Sequence, residues 1–257
     1  VRFASLGSGS EGNALVVEAG GTCLMVDCGF STREALRRLS RLGLSPGDVG
    51  ALLVTHEHDD HSGGAFPLAR ACGAPVWLTR GTLAALREAD PRVDEGVEVR
   101  LLHGGLEQAI GALEVRPFTV PHDAREPVQY VFSDGDARLG VLTDLGHPTA
   151  HVASMLSGCD ALVLECNHDA GMLAAGSYPA WLKRRIGGNH GHLSNAQAAE
   201  LLSVLDRSRL RHLVAAHLSR SNNHPELALA ALESVIGGRP DWLGIAQQAG
   251  GFDWRET

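Results

Sequence analysis

The 257 residues contain a single lysine, Lys183, and arginine supplies the rest of the 22 basic side chains, an excess that reads as compositional bias. The net charge of −8 excludes a protein that coats nucleic acid through overall charge, although a local basic patch or bound divalent cations still attract phosphate. The five cysteines, Cys23, Cys28, Cys72, Cys159 and Cys166, are odd in number and form no Cys-x-x-Cys pair. That pattern excludes a disulfide framework and a thiolate metal site, and predicts small buried hydrophobes in a reducing compartment. No apolar run approaches the ~20 residues of a membrane span, and the opening "VRFASLGSGS" has no charged-then-apolar signal pattern. The expectation is a cytoplasmic protein without a membrane partner. No low-complexity or Pro/Gly/Ser-rich linker interrupts the chain, which is long enough to bury a core without staples, so residues 1–257 are expected to form a single α/β domain.

Short apolar runs alternate with amphipathic stretches. Segments 13–29 and 128–146 look alike: each reads as strand, Gly-containing turn and second strand ending in Asp-x-Gly, at Asp27 and Asp144. This repetition predicts a pseudo-duplicated fold with two sheets. Ser31 and Glu34 form a capping-box pattern opening a helix that stops at Gly43; "GTLAALREAD" and "PELALAALESVIGG" are further helices, the latter from Pro225 to Gly237. Their apolar spacing suits covering the sheets.

The chemistry concentrates in "ALLVTHEHDDHSGG", residues 51–64. "ALLV" suits a buried strand, so His56, His58, Asp59, Asp60 and His61 emerge at its end, the usual place for a site in an α/β fold. His56 and His58, two apart in extended chain, project to one side and can share a metal, while Asp60 and His61 can reach a second. Imidazoles and carboxylates without thiolates suit Zn²⁺, Mn²⁺ or Fe²⁺ in a catalytic rather than a structural site.

The His-x-His-x-Asp-His pattern after an apolar strand resembles the signature of the metallo-β-lactamase superfamily, whose members share an αββα four-layer sandwich. The resemblance implies that His56, His58 and His122 bind one metal and Asp60, His61 and His217 another, with Asp144 spanning both. It makes Asp59 a non-ligand and Asp27 an orienter of ligands. Two such ions activate water and polarise the bond to be attacked, which is hydrolytic chemistry.

"GHLSNAQAAELL" followed by "RHLVAAHLS" is similar to the nuclease branch of that superfamily, which implies that Glu165 and His192 relay a proton to the leaving oxygen. Asp60, Asp144, Glu165 and His192 are thus the candidate catalytic residues. Ser194 reads as a helix N-cap with Gln197, and a helix N-terminus also receives phosphate. Lys183, Arg184 and Arg185 are either a phosphate grip or a solvated helix face. In "SLGSGSEGN", Ser8, Ser10 and Asn13 either hold phosphate or form an ordinary tight turn. The pieces "GSGSEGN", "VDCG", "VTHEHDDHSGG", "PHDAREPVQYVF", "TDLG", "LVLECNHD" and "AHLSRSNNHPE" resemble the YycJ/WalJ group. Membership implies a metal-dependent phosphodiester hydrolase, a 5′-to-3′ DNA exonuclease with a part in DNA repair, using two Zn²⁺ or Mn²⁺ ions and a nucleic-acid substrate. A thioester, lactone or β-lactam hydrolase and a ribonuclease are the alternatives on the same metal pair.

Overall fold

The computed structural model describes residues 1–257. Strands β1 (Arg2–Gly7), β2 (Ala14–Ala19), β3 (Thr22–Val26), β4 (Ala51–Leu53), β5 (Val76–Thr79) and β6 (Val99–Leu102) join β14 (Phe252–Glu256) in a seven-stranded sheet ordered β14, β1, β2, β3, β4, β5, β6. The second seven-stranded sheet runs β13 (Leu243–Ile245), β12 (His212–Ala216), β11 (Ala161–Glu165), β10 (Arg138–Leu142), β9 (Val128–Ser133), β8 (Leu113–Thr119), β7 (Gln108–Ile110). The two look-alike segments are the hairpins β2–β3 and β9–β10, both antiparallel. Each hands over to a parallel neighbour, β3 to β4 and β10 to β11, so the repeated sequence pattern becomes a repeated topology.

Alternation along the strands builds four layers. In β3, Leu24 and Val26 face the apolar layer between the sheets, while Cys23 and Met25 face the opposite side. In β12, Val214 and Ala216 face that same middle layer, while Leu213 and Ala215 point outward. Helices α1 (Thr32–Arg41), α2 (Asp59–Ser62), α3 (Ala65–Cys72) and α4 (Arg80–Ala89) lie along the first half of the chain, and α1, α3 and α4 cover the first sheet with Leu39, Phe66, Leu68 and Leu83. Of α5 (Ala150–Leu156), α6 (Ala170–Ala175), α7 (Ala180–Ile186), α8 (Asn195–Val204) and α9 (Pro225–Ile236), it is α5, α8 and α9 that cover the second sheet with Val152, Leu201 and Leu232. Each fully buried side chain of this kind contributes ~1.5–3 kcal/mol. No helix is long and apolar enough to cross a membrane.

The helix ends largely follow the sequence signals. Ser194 caps α8 in a capping box with Gln197, and Gly237 ends α9 with φ 84°. Ser31 caps α1 by accepting from the Glu34 N–H, but the Glu34 carboxylate turns to Arg37 and Arg38. The guanidiniums beside it hold that carboxyl at about 2, below its usual range. Four of the cysteines are buried and Cys72 is half-buried, with burial pushing the Cys23 and Cys28 thiols up to about 12.

Candidate active site

Every candidate metal ligand follows the C-terminal end of a strand. His56 to His61 come after β4, His122 after β8, Asp144 after β10 and His217 after β12; Asp27, expected to orient them, comes after β3. Both sheets therefore deliver side chains to one rim of the sandwich. The stretch expected to be a loop closes into the single helical turn α2, with His58 as its N-cap. The backbone pins that turn: the Asn13 N–H donates to the Asp60 carbonyl at 2.8 Å and the Cys28 N–H to the His61 carbonyl at 2.7 Å. A Cβ on Gly29 would run into the Asp60 carbonyl, so the turn packs as close as it does only because that position is glycine.

Among non-glycine residues, only Asp27 and His217 adopt left-handed backbone, at φ 59° and 55°. Both sit at the site, where strained backbone is held in place by its surroundings. The His217 N–H donates to Ser8 Oγ at 2.8 Å, and Asp27 Oδ1 accepts the Thr55 N–H at 2.8 Å.

Outer hydrogen bonds decide which ring nitrogen each histidine turns inward. His122 Nδ1 donates to the Gly191 carbonyl at 3.0 Å and His61 Nδ1 to Asp27 Oδ2 at 2.8 Å. Thr55 Oγ1, itself donating to Asp27, lies 2.9 Å from His56 Nδ1. These bonds leave Nε2 of His56, His61 and His122 as inward lone pairs. His56 Nε2 and His122 Nε2 meet His58 Nδ1 at 2.9 and 3.2 Å. Two donors on one tetrahedral ion are separated by about 3.3 Å, so the three rings fit a single divalent cation.

Asp60 Oδ2 lies 3.2 Å from His217 Nε2 and 3.5 Å from His61 Nε2, forming a second group able to hold an ion. Asp144 stands between the groups, with Oδ2 3.0 Å from His61 Nε2 and Oδ1 3.8 Å from His122 Nε2. Its buried Oδ2 has no hydrogen-bond partner although the His61 nitrogen is near. With the His61 proton on Nδ1, two acceptors face each other there, an arrangement that a cation resolves.

Next to this cluster, His192 Nδ1 lies 2.7 Å from Glu165 Oε1, and Glu165 Oε2 accepts the N–H groups of Leu145 and Leu193 at 2.9 and 3.1 Å. His192 stacks on His217 with ring centroids 5.2 Å apart and lines a cleft of about 280 Å³ with His58, Asp60, Asp144 and His217.

Comparison with known proteins places this architecture. The profile of a β-lactamase superfamily domain matches residues 22–217. The chain is 36% identical to the exodeoxyribonuclease YycJ of Bacillus anthracis, over 92% of this chain and 89% of that protein. It is 34% identical to the exodeoxyribonuclease WalJ of Streptococcus pneumoniae, over 88% and 85%. The crystal structure of the metallo-β-lactamase fold protein YhfI from Bacillus subtilis superposes with a TM-score of 0.76 over 100% of this chain and 99% of that one, at 15% identity, a likeness of fold. The chain belongs to the metallo-β-lactamase superfamily.

A superfamily site of buried histidines and carboxylates has to balance its charge. Burial lowers the pKa of His56 and of His122. Burial also opposes charge on His61 and His217. There, however, the Asp144, Asp27 and Asp60 carboxylates raise His61 well above its ordinary value, and Asp144, Asp60 and Glu165 raise His217 to about 10. Asp60 and Asp144 are held low by the facing imidazoles in spite of their burial. Burial raises Asp27 beyond what His61 and Thr55 offset. His192 is raised, its own burial being outweighed chiefly by Glu165, whose pKa is in turn lowered by His192 against the effect of burial. Protons and divalent cations thus compete for the same inward positions.

The remaining sequence candidates separate by position. Asp59 is exposed and belongs to none of the ligand groups. Ser8 and Asn13 are buried and bonded to each other, and Asn13 Nδ2 lies 3.1 Å from His61 Nε2. Ser10 and Arg185 line the cleft, whereas Lys183, Arg184 and Ser194 line a separate cavity of about 360 Å³ beside His168. Lys183 Nζ donates to the Ala174 carbonyl at 2.6 Å, and Arg185 Nε donates to Asp123 at 2.5 Å.

Sequence reading missed Thr55, Asn167 and Asp123. Asn167 Nδ2 donates to the His217 carbonyl at 3.0 Å and lies 3.2 Å from His217 Nδ1. Asp123 Oδ1 lies 3.5 Å from His122 Nε2. The only sequence signal was adjacency to a candidate ligand, at Thr55 and Asp123; Asn167 follows Glu165 by two residues.

Proposed function

We propose that the chain is a two-metal phosphodiesterase that shortens DNA from a 5′ end and serves DNA repair, with residues 1–257 acting as one domain. The observation that carries the reading is the pairing of two inward donor groups around Asp144 with the adjacent Glu165–His192 couple. Relatives named exodeoxyribonuclease, matched over about nine-tenths of the chain, point to the same substrate.

In this reading His56, His58 and His122 would hold one Zn²⁺ or Mn²⁺ ion, Asp60, His61 and His217 would hold the other, and Asp144 would serve both. When bound, such ions supply a water of lowered pKa and neutralise charge on the phosphate. The chain's own contribution is positional. Asp27, Thr55 and Gly191 fix the ring tautomers, and Asn13 and Ser8 hold α2 and the His217 backbone. Glu165 occupies His192 Nδ1, and the ring, which lines the cleft, would give a proton from Nε2 to the departing alkoxide. The Glu165 carboxylate stabilises the charge on that ring before transfer.

The test is cleavage of 5′- and 3′-labelled single-stranded and duplex DNA, with an RNA strand alongside, in Zn²⁺ or Mn²⁺. The expected product is stepwise release from the 5′ end that chelator abolishes. Absence of metal-dependent products from every strand defeats the reading. Turnover of a thioester, lactone or β-lactam that is indifferent to His192→Ala replaces it with small-molecule hydrolysis.

A further inference from the structure

Helix α7 is a thin wall between two cavities. Leu182, Arg185 and Ile186 line the catalytic cleft, while Lys183, Arg184 and Gly187 line the separate cavity of about 360 Å³ beside His168. The arm that carries this helix packs against little: no residue from 174 to 190 is buried, and α7 contributes nothing to the core clusters. A seven-residue helix without a packed face gains little stability of its own, so its place depends on side-chain ties. The Arg185–Asp123 ion pair supplies one on the side of the cleft. On the opposite side, Lys183 Nζ donates to the Ala174 carbonyl, a bond that stays within the arm.

The second cavity gathers donors and no acids. No carboxylate is among its lining residues, although the chain carries a net charge of −8. Arg184 is exposed and has no acidic partner, and Lys183 keeps further N–H groups free beyond the one given to Ala174. Gln197 Oε1 accepts from both the N–H and the hydroxyl of Ser194, at 3.0 Å each, which leaves its NH₂ unbonded. The N–H groups that open α8 are largely spent, Asn195 on the His168 carbonyl and Gln197 on Ser194 Oγ, so side chains rather than the helix end set the character of the cavity. His168 is the decisive member. It lines the cavity at only 3% exposure, and its buried Nδ1 has no hydrogen-bond partner. A buried polar group left in that state is costly unless a ligand meets its ring. Burial lowers the pKa of His168, so the ring offers a neutral N–H beside the two cations.

We propose that this cavity binds a phosphate group, held by Lys183 and Arg184 from α7, Gln197 from α8 and His168 from the segment after β11. Phosphate oxygens accept hydrogen bonds and carry negative charge, which matches a lining of free donors and cations. Leu173, Ala170 and Ala174 give the organic part of a phosphate ester an apolar wall. A bound phosphate joins α7 to α8 and to His168, so it steadies the wall of the catalytic cleft from behind. The group belongs either to a free phosphate monoester or to a nucleic-acid strand, and its chemistry at the site is the same. The inference does not depend on the nuclease reading.

The test measures binding of inorganic phosphate, thymidine monophosphate and a labelled oligothymidylate at matched ionic strength, in chelator so that no ion at the histidine cluster takes up phosphate. Wild type is compared with Arg184→Ala, Lys183→Ala, His168→Gln and the control Arg33→Ala, which removes an exposed arginine of α1 that lines neither cavity. Arg184→Ala and Lys183→Ala should each weaken binding about 10-fold, and Arg33→Ala should match wild type. The His168 ring resonances, assigned through His168→Gln, should shift as ligand is added. Bound phosphate should also slow tryptic cleavage at residues 183–185. Oligonucleotide binding that falls with Arg184→Ala makes the strand the source of the phosphate. Monophosphate binding that falls with Arg184→Ala while oligonucleotide binding holds makes the source a free monoester; either result upholds the site. If Arg184→Ala weakens none of the three ligands, or Arg33→Ala weakens them equally, the proposal is overturned. Cleavage of DNA in metal by Arg184→Ala would leave the nuclease reading intact in that event.

Discussion

Asp27→Asn separates orientation of a ligand from ligation itself. Asparagine tolerates left-handed backbone as aspartate does, so φ 59° at this position adds almost no cost. Asp27 Oδ1 accepts the Thr55 N–H at 2.8 Å, and Oδ2 accepts Thr55 Oγ1 and His61 Nδ1, both at 2.8 Å. An amide that keeps its carbonyl on the Thr55 N–H turns its NH₂ toward the His61 Nδ1–H, setting donor against donor. The ring escapes by moving its proton to Nε2, the nitrogen that faces Asp60 and Asp144, and the inward lone pair is lost. Loss of such an orienting partner costs about 10–100-fold in metal affinity, equivalent to ~1.4–2.7 kcal/mol. Losing a charged acceptor in this buried network also lowers stability by ~1.5–3 kcal/mol. Competition against chelators of graded strength, read by metal content, should show the ion of the Asp60, His61 and His217 group leaving first. Urea midpoints should fall at unchanged slope. If both ions are held as tightly as in wild type while stability alone drops, the tautomer argument is wrong.

Four further substitutions probe the other candidate residues. Asp144→Ala should abolish nuclease activity and reduce the metal content from two ions per chain to one or none, with the far-ultraviolet dichroism unchanged; full metal content with normal turnover would refute its bridging place. Glu165→Gln and His192→Ala should each lower kcat by about 10²–10⁴ with metal retained, and the double variant should lose no more than the worse single; multiplied losses would show that the two act separately. Ser194→Ala removes the α8 cap and should cost about 1 kcal/mol in denaturant unfolding with KM for DNA unchanged; a raised KM at unchanged stability would restore a phosphate-holding role.

Local rules made much of this architecture readable in the chain. The hairpins β2–β3 and β9–β10 showed themselves by apolar runs on either side of a glycine-containing turn, each closing on Asp-x-Gly, and Ser194 and Gly237 marked helix ends because their types suit cap geometry. The His56–His61 cluster stood out because so many coordinating groups in one stretch have no solvation purpose. His122 and His217 were individually unremarkable, since a lone histidine after a strand is common; only resemblance singled them out. Thr55, Asn167 and Asn13 acquire their positions relative to the histidines from tertiary packing that no local pattern encodes. Pairing of β1 with β14 was likewise invisible, being set by contacts across the whole chain. The α7 arm read as either a phosphate grip or a solvated basic helix face, and its lack of a packed face emerged only in three dimensions.

Anomalous diffraction from crystals grown with Zn²⁺, recorded on both sides of the zinc edge, addresses the central arrangement most directly. The account predicts two peaks about 3.5–4 Å apart, one among His56, His58 and His122, the other among Asp60, His61 and His217, with Asp144 touching both. A single peak, or peaks remote from Asp144, would contradict it.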